Sequence, residues 1–550
     1  MAPGPIRTTS RLGRPIELSM IRCVTSQLQL EALNSRLEDL LLNRRVSEGF
    51  ALLDRVASRI EHLDPKNPSA ISLVLSLAQW VDLGYGDLGI LEAKAKRLPG
   101  VNPDMTFSDV MKIQLIQAFI HLANEDADRA IYLLERIASV GEGLLPVPLL
   151  FVAHFWKGRA HRKKGDYSSA GTHIRMAQGI AEKMGYEKLV AVTRIHESWL
   201  AFQAGEKSRA FKLLDDAERE LRPVGHVLSL GNIESARGRF VRRSGNYAEA
   251  LAHFEKAMSI YQDGFHNHVN MARAMVNAAY VKRLSALAIK PRLQGNQASG
   301  LVNSKYLKLT GEALSLLKRA GKIYEKHHHH GGTGSVLVNS GFLHLDSGDI
   351  ERASGQADHA LQLGHEKADI ILMARAKNLA SAVERARGEE QIDGEENAHL
   401  HLQLAVTFAE EAIELARSTE NRRLQAEAYL ARGFAALEGT DPDVQIVRFC
   451  AAQATNLLSD DDRDHLWSEL RELKEMILRT VGIDDTLKRW SEGQLGDKSF
   501  QQVEEEFAEI VIPRVWENLG RSVSQVARQL SISPKKVRRL LKKVSGNEST

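Results

Sequence analysis

The chain has 550 residues, 43% of them hydrophobic, a net charge of +3 and only 14 prolines. So few prolines point to a chain that lies mostly in helix interiors, where Pro would remove a hydrogen bond and clash with the preceding turn. Cys23 and Cys450, the only cysteines, are far apart, which excludes a disulfide scaffold and a CxxC metal site. No apolar stretch approaches bilayer length and the N-terminus carries no hydrophobic signal region, so a cytoplasmic all-α protein without a membrane partner is expected.

In chain order, residues 1–21, with Arg7, Arg11 and Arg14 among Pro, Gly and Ser, read as an unstructured N-terminal arm. From 22 to 480 the sequence repeats. Ala130, Ala170, Ala210 and Ala250 follow one another at intervals of 40, and Ala313 and Ala353 are again 40 apart. Seven residues after each stands a second small or apolar residue: Ile137, Ala177, Ala217, Ala257, Ala320 and Ala360. Two helical turns separate the members of each pair, so both mark one face of a helix copied in tandem. The same register extends to Gly49 and Ile90 upstream and to Ala405 and Val447 downstream, which makes about ten repeats.

Two intervals break the period, near 288–305 and 386–398, where polar, Gly-rich sequence reads as inserted loop. An array of this kind buries a continuous core between neighbouring units, so a helical, elongated stack is expected.

The clearest units run from Gly158 through Tyr167 and Ala170 to Ala177, and from Gly238 through Tyr247, Ala250 and Phe254 to Ala257. Each reads as helix, tight turn at Lys164-Gly165-Asp166 or Ser244-Gly245-Asn246, helix. This pattern resembles the tetratricopeptide repeat, and the 40-residue period is similar to the longer-helix repeats of bacterial signalling regulators and peptide-sensing proteins. The resemblance implies a right-handed solenoid of helical hairpins whose surface takes a protein or peptide.

Other features carry weaker chemistry. His327–His330 is a run of imidazoles, but no Cys or carboxylate shares its segment, which reads as a flexible loop, so no metal site is assigned. His161-Arg162-Lys163-Lys164 and Arg242-Arg243 each precede a helix-ending Gly. There cations favour the macrodipole; the alternative is the lining of a ligand groove. Asp460–Asp464 lacks the glycine and terminal Glu of a calcium loop and reads as a cap for the helix containing Leu466, Trp467 and Leu470. With no catalytic, dinucleotide or Walker signature, no catalytic residue, enzyme activity or cofactor is expected.

Residues 481–503 read as a linker, followed by an acidic helix from about Phe500 through Glu504, Glu505 and Glu506. Beyond it, 504–546 read as a separate helix-turn-helix. Val526, Ala527, Leu530, Ile532, Val537 and Leu540 are spaced to close two short helices on each other. Ser522 with Gln525 is a capping-box signature for the first, and Ser533-Pro534 starts the second. Lys535 and Lys536 then occupy a first turn where the helix dipole favours anions. Residues 513–544 carry nine cations against Glu517 alone, the footprint expected of a phosphate partner.

This segment resembles the C-terminal DNA-binding domain of Fis-type regulators, with Ser531 where that family usually places Gly in the turn. Double-stranded DNA is the implied partner, bound by a homodimer on two half-sites. Helical spacing turns Lys535, Lys536 and Arg539 toward the bases and leaves Arg521, Arg528, Arg538, Lys542 and Lys543 for phosphates. The expected function is a transcriptional regulator in which the solenoid senses a protein, peptide or small molecule. The alternative is an interaction scaffold whose last segment caps the array and meets an acidic partner.

Overall fold

The computed structural model describes residues 29–547, apart from 64–68, 104, 141–142, 291–299, 391–394, 438–442, 460–461, 481–489, 491–492 and 495. The N-terminal arm, most of the linker and much of both insertions therefore lie outside the described residues. The fold is all-α. The chain divides into two compact units between Leu473 and Lys474.

The first unit is a tetratricopeptide-like solenoid of helical hairpins. After helices α1 (29–42) and α2 (Val46–Glu61) come α3 (Ser69–Asp82) with α4 (Leu88–Ala95), and α5 (Phe107–Ala123) with α6 (Ala127–Ala138). Then follow α7 (Val147–Lys164) with α8 (Tyr167–Lys183), α9 (Glu187–Gln203) with α10 (Lys207–Leu221), and α11 (Val227–Arg243) with α12 (Tyr247–Phe265). The rest are α13 (Val269–Leu287) with α14 (Gly300–Lys326), α15 (His330–Asp346) with α16 (Ile350–Glu366), α17 (Ile370–Glu390) with α18 (Glu395–Arg417), and α19 (Arg422–Leu437) with α20 (Val444–Leu457). The helix α21 (His465–Thr480) follows. Within each of these pairs from α5 onward the two helices pack on each other, and the first helices also touch one another along the array.

The turns are built as the local sequence dictates. Gly165 adopts φ +81° and ends α7; the Asp166 carboxylate then accepts from the Ser169 N–H at 3.0 Å and starts α8. Gly245 and Asn246 do the same one period later, with φ +78° and a bond from the Glu249 N–H. A left-handed residue costs Gly little, and the capping oxygen satisfies an N–H the new helix cannot.

All twelve periodic positions, from Ala130 and Ile137 to Ala353 and Ala360, have no exposed surface. They sit where paired helices come closest, and at all of them but Ile137 the side chain is alanine. Gly49 shows the same constraint: a Cβ there would stand 2.0 Å from the Trp80 ring. Ala405 and Val447 are fully buried too. Ile90 is not; it is 48% exposed and Leu91 takes the buried position. The short α4 starts one residue out of register, after the cap made by Asp87.

Two further expectations are corrected. The extra residues of the insertions are partly helix: α17 runs on through Gly388 to Glu390, α18 begins at Glu395, and α14 is 27 residues long. The stack also does not stay extended. Gly165 O accepts from Glu420 N at 2.9 Å, Ser168 N donates to the Glu420 carboxylate at 2.8 Å, and Arg243 O accepts from Arg463 N at 2.7 Å. Each hairpin is rotated slightly against the last, so repeats about 220 to 250 residues apart meet and enclose an inner channel.

Candidate nucleic-acid interface and inner channel

The second unit contains α22 (Phe500–Asn518), α23 (Val523–Gln529) and α24 (Pro534–Asn547). Val526, Ala527, Val537 and Leu540 form its buried core, with Leu530 and Ile532 half-buried beside them. The core has a third wall that the helix-turn-helix pattern alone leaves out: Ile512 of α22 is 3% exposed, and Val515, Trp516 and Leu519 pack around it. An i, i+3, i+4, i+7 apolar pattern at 512, 515, 516 and 519 was the available signal.

Between α23 and α24, Ser531 has φ +50°. The turn needs a left-handed residue there, and serine adopts it with Ile532 N donating to Ala527 O at 3.0 Å. Ser533 Oγ accepts from Lys536 N at 3.2 Å and caps α24. The capping box expected at the start of α23 does not form: Ser522 Oγ makes no cap bond and instead lies 3.1 Å from Ser524 Oγ. Arg521, itself at φ +63°, stacks on Trp516 at 5.5 Å.

Lys535, Arg538, Arg539 and Lys542 project from α24 as exposed cations, Lys536 is half-exposed, and Arg521 and Arg528 are exposed near α23. Lys543 lies in α24, but its side chain is outside the described residues. The surface of α24 is not purely cationic in its surroundings. Lys536 Nζ is 3.8 Å from Glu504 Oε1 and Arg539 Nη2 is 3.7 Å from Glu505 Oε1. Two of the three expected base readers therefore stand beside carboxylates of α22, a neighbour that the window 513–544 leaves out.

The array carries a second site. A channel of about 510 Å³ runs along the inner faces of the first helices. Arginines stack on aromatic rings of the next inner helix: Arg162 on Trp199 at 5.3 Å, Arg242 on Tyr280 at 4.7 Å, Arg283 on Phe342 at 4.7 Å, and Arg385 on Phe434 at 4.9 Å. Arg242 and Arg243 thus line the channel as well as ending α11, while Arg162 and Lys163 line an adjoining cavity. Their sequence signal was an aromatic residue 37 or 38 positions after Arg162 and Arg242.

Some channel charges are paired. Arg283 holds Asp346 at 2.5 Å, Arg423 binds both Asp462 and Asp464, and His465 meets Glu469 at 3.0 Å. Asp462 and Asp464 therefore serve as counter-ions to Arg423, not as caps for α21. Others lack such partners. Arg162, Arg239, Arg242 and Arg273 make no ion pair among the described residues, and the Nε groups of the first three are buried without a hydrogen-bond partner. Burial, then Arg162, Arg273 and Arg242, hold the Arg239 guanidinium down at about 9; burial, Arg273 and Arg159 hold Arg162 at about 10. His196 is pushed well below its ordinary range by burial and the same arginines.

The histidine run is not a flexible loop: His327 Nε2 lies 2.8 Å from Asn267 O, and His328 N donates to Glu325 O at 3.1 Å. His329 caps α15 by accepting from Gly332 N at 2.9 Å, and His330 opens the helix. Tertiary contact supplies the carboxylate absent from the local sequence: Glu125 accepts from Gly331 N at 2.8 Å and lies 3.3 Å and 3.1 Å from the His329 and His330 rings. No group of three or more potential ligands that could hold a metal occurs among the described residues. Nor is any helix there long and apolar enough to cross a membrane.

No family model matches the chain, and no curated protein matches it. It is similar to several solved helical-repeat structures. One is a Rap protein complexed with competence and sporulation factor, at 12% identity and TM-score 0.46, covering 81% of this chain and 99% of that one. Others are human IFIT1 with m7Gppp-AAAA (12%, TM-score 0.43, 82% and 95%) and yeast Tom70 (12%, TM-score 0.37, 84% and 98%).

Proposed function

We propose that the protein is a DNA-binding transcriptional regulator that acts by binding and not by catalysis, with the solenoid sensing a protein, peptide or small molecule. The observation that carries the reading is α24 itself. A helix that begins at a Ser-capped Pro534, places Lys535 and Lys536 in its first turn and presents Arg538, Arg539 and Lys542 to solvent accumulates positive charge where its own dipole disfavours it. Phosphate relieves that conflict, and release of counter-ions from DNA supplies the driving force.

In this reading Lys535, Lys536 and Arg539 face base edges, and Arg521, Arg528, Arg538, Lys542 and Lys543 fix register on the backbone. Arg and Lys pair best with the guanine edge, so G-containing half-sites are favoured. One such module reads few base pairs, and the DNA-bound form is a homodimer on half-sites about one helical turn apart. The test is selection of sites from a randomised duplex library by the full-length protein, followed by sedimentation of the complex. Enriched paired half-sites with two chains per duplex are expected; recovery of no sequence above input, or a 1:1 complex at saturating DNA, refutes the reading.

A further inference from the structure

We infer that the inner channel of the solenoid binds a ligand carrying two or more linked phosphate groups, held by Arg239, Arg242 and Arg273, with Arg162 adding its charge from the adjoining cavity. The site deepens the sensing half of the function proposed above and rests on the array being the sensor, but not on DNA contact by α24.

Arg239 and Arg242 of α11 and Arg273 of α13 line one channel, Arg162 of α7 stands next to it over Trp199, and none of the four is in ion-pair contact with a carboxylate among the described residues. An arginine cannot relieve such crowding by losing its proton, because its charge persists in any ordinary protein site. The repulsion is therefore a standing cost of the empty channel. The carboxylates that do line the same channel act elsewhere: Glu469 pairs with His465, and Glu427 feels Arg375, Arg423 and Arg283 instead of these four. A compensating anion has to come from outside.

The form of the cluster selects its charge. Arg162 and Arg242 lie over the Trp199 and Tyr280 rings, and their Nε groups are buried, so the terminal nitrogens remain for a ligand. A stacked, immobilised guanidinium offers a planar fork that matches the oxygens of phosphate in two-pronged contact. One carboxylate would neutralise one of four charges, whereas a di- or triphosphate spreads several over a span that adjacent repeats can grip together. The half-exposed state of Arg239 and Arg242 leaves them accessible from the channel.

The test is calorimetric titration of the full-length protein with sodium tripolyphosphate, with ATP and with hexaglutamate at matched ionic strength. Saturable 1:1 binding of tripolyphosphate is expected, with R239Q/R242Q lowering affinity on the order of a hundredfold and R239K, which keeps the charge but loses the fork, on the order of tenfold. Tighter binding of ATP would identify a nucleotide source, and equal or weaker binding an inorganic chain. Removing a repelling charge should leave the melting temperature of the empty R239Q/R242Q protein equal or higher while abolishing its rise on ligand addition. K535Q/K536Q/R539Q separates the two readings, since it should lose DNA and keep tripolyphosphate. The proposal is overturned by the absence of saturable binding, by hexaglutamate binding as tightly, by unchanged affinity in R239Q/R242Q, or by loss of binding only in the α24 variant.

Discussion

Lys536 Nζ stands 3.8 Å from Glu504 Oε1, so a side chain expected to read DNA is already beside a carboxylate of its own domain. Arg539 and Glu505 repeat the arrangement at 3.7 Å, about one helical turn along. Both pairs are largely solvent-exposed, where such contacts contribute little to stability. Their effect falls on the approach of phosphate, because each carboxylate opposes the potential that α24 offers to DNA. The double substitution E504Q/E505Q should raise DNA affinity several-fold and shift thermal stability hardly at all. Fluorescence anisotropy across a salt series checks this; unchanged or weaker binding would remove the carboxylates from the interface.

Readers and anchors should separate in the same assay. Arg539→Ala should cost about 1–3 kcal/mol and relax preference at one base pair, while Arg528→Ala should weaken all sequences alike and lower the salt slope by about one unit. If a randomised-site library responded identically to both, the division between them would be wrong.

Ser531 offers a stability measurement on the C-terminal unit. At φ +50° a serine carries roughly 1–2 kcal/mol of left-handed strain, against roughly 0.5–1 kcal/mol of extra unfolded-chain entropy for glycine. Ser531→Gly should therefore stabilise this unit by up to about 1 kcal/mol, and Ser531→Val should destabilise it. Chemical denaturation followed through Trp516 fluorescence would report either result, and a loss on Ser531→Gly would contradict the observed turn.

Two glycines in the array should respond in opposite directions. Gly49→Ala would put a Cβ 2.0 Å from the fully buried Trp80 ring, so overpacking of about 1–3 kcal/mol outweighs the gain of about 1 kcal/mol in helix propensity. Gly179 in α8 has nothing within 4 Å of the added Cβ. There only the propensity gain remains, and Gly179→Ala should raise the melting temperature. Equal responses would mean that the α2–α3 contact is not as close as described.

Acid should destabilise the array through His226. Its ring is 3% exposed, neither nitrogen has a hydrogen-bond partner among the described residues, and burial followed by Arg44 holds it down at about 3. The folded value lies below the ordinary 6.5, so the unfolded chain binds the proton more readily between them. Stability from this residue is complete above about pH 6.5 and is lost as pH falls toward about 3. His226→Phe should flatten that limb of a melting-temperature profile; an unchanged slope would assign acid sensitivity to other groups.

The sequence by itself determined the repeat and its buried face. Ala130, Ala170, Ala210 and Ala250 are legible because the closest approach of two helices favours small residues, and that demand recurs once per hairpin. The turn at Ser531 and the cap at Ser533 are legible for the same reason: their causes lie within a few residues of chain. Tertiary structure alone decided what meets across the array. It set Glu125 against His329 and His330, Asp462 and Asp464 against Arg423, and Arg162 near Arg239 and Arg273. It also placed Glu504 and Glu505 beside α24. Periodicity specifies which face of each helix turns inward, but the small rotation between successive hairpins, accumulated over many repeats, specifies which inward faces converge. That rotation comes from the packing of whole helices, which no local pattern encodes.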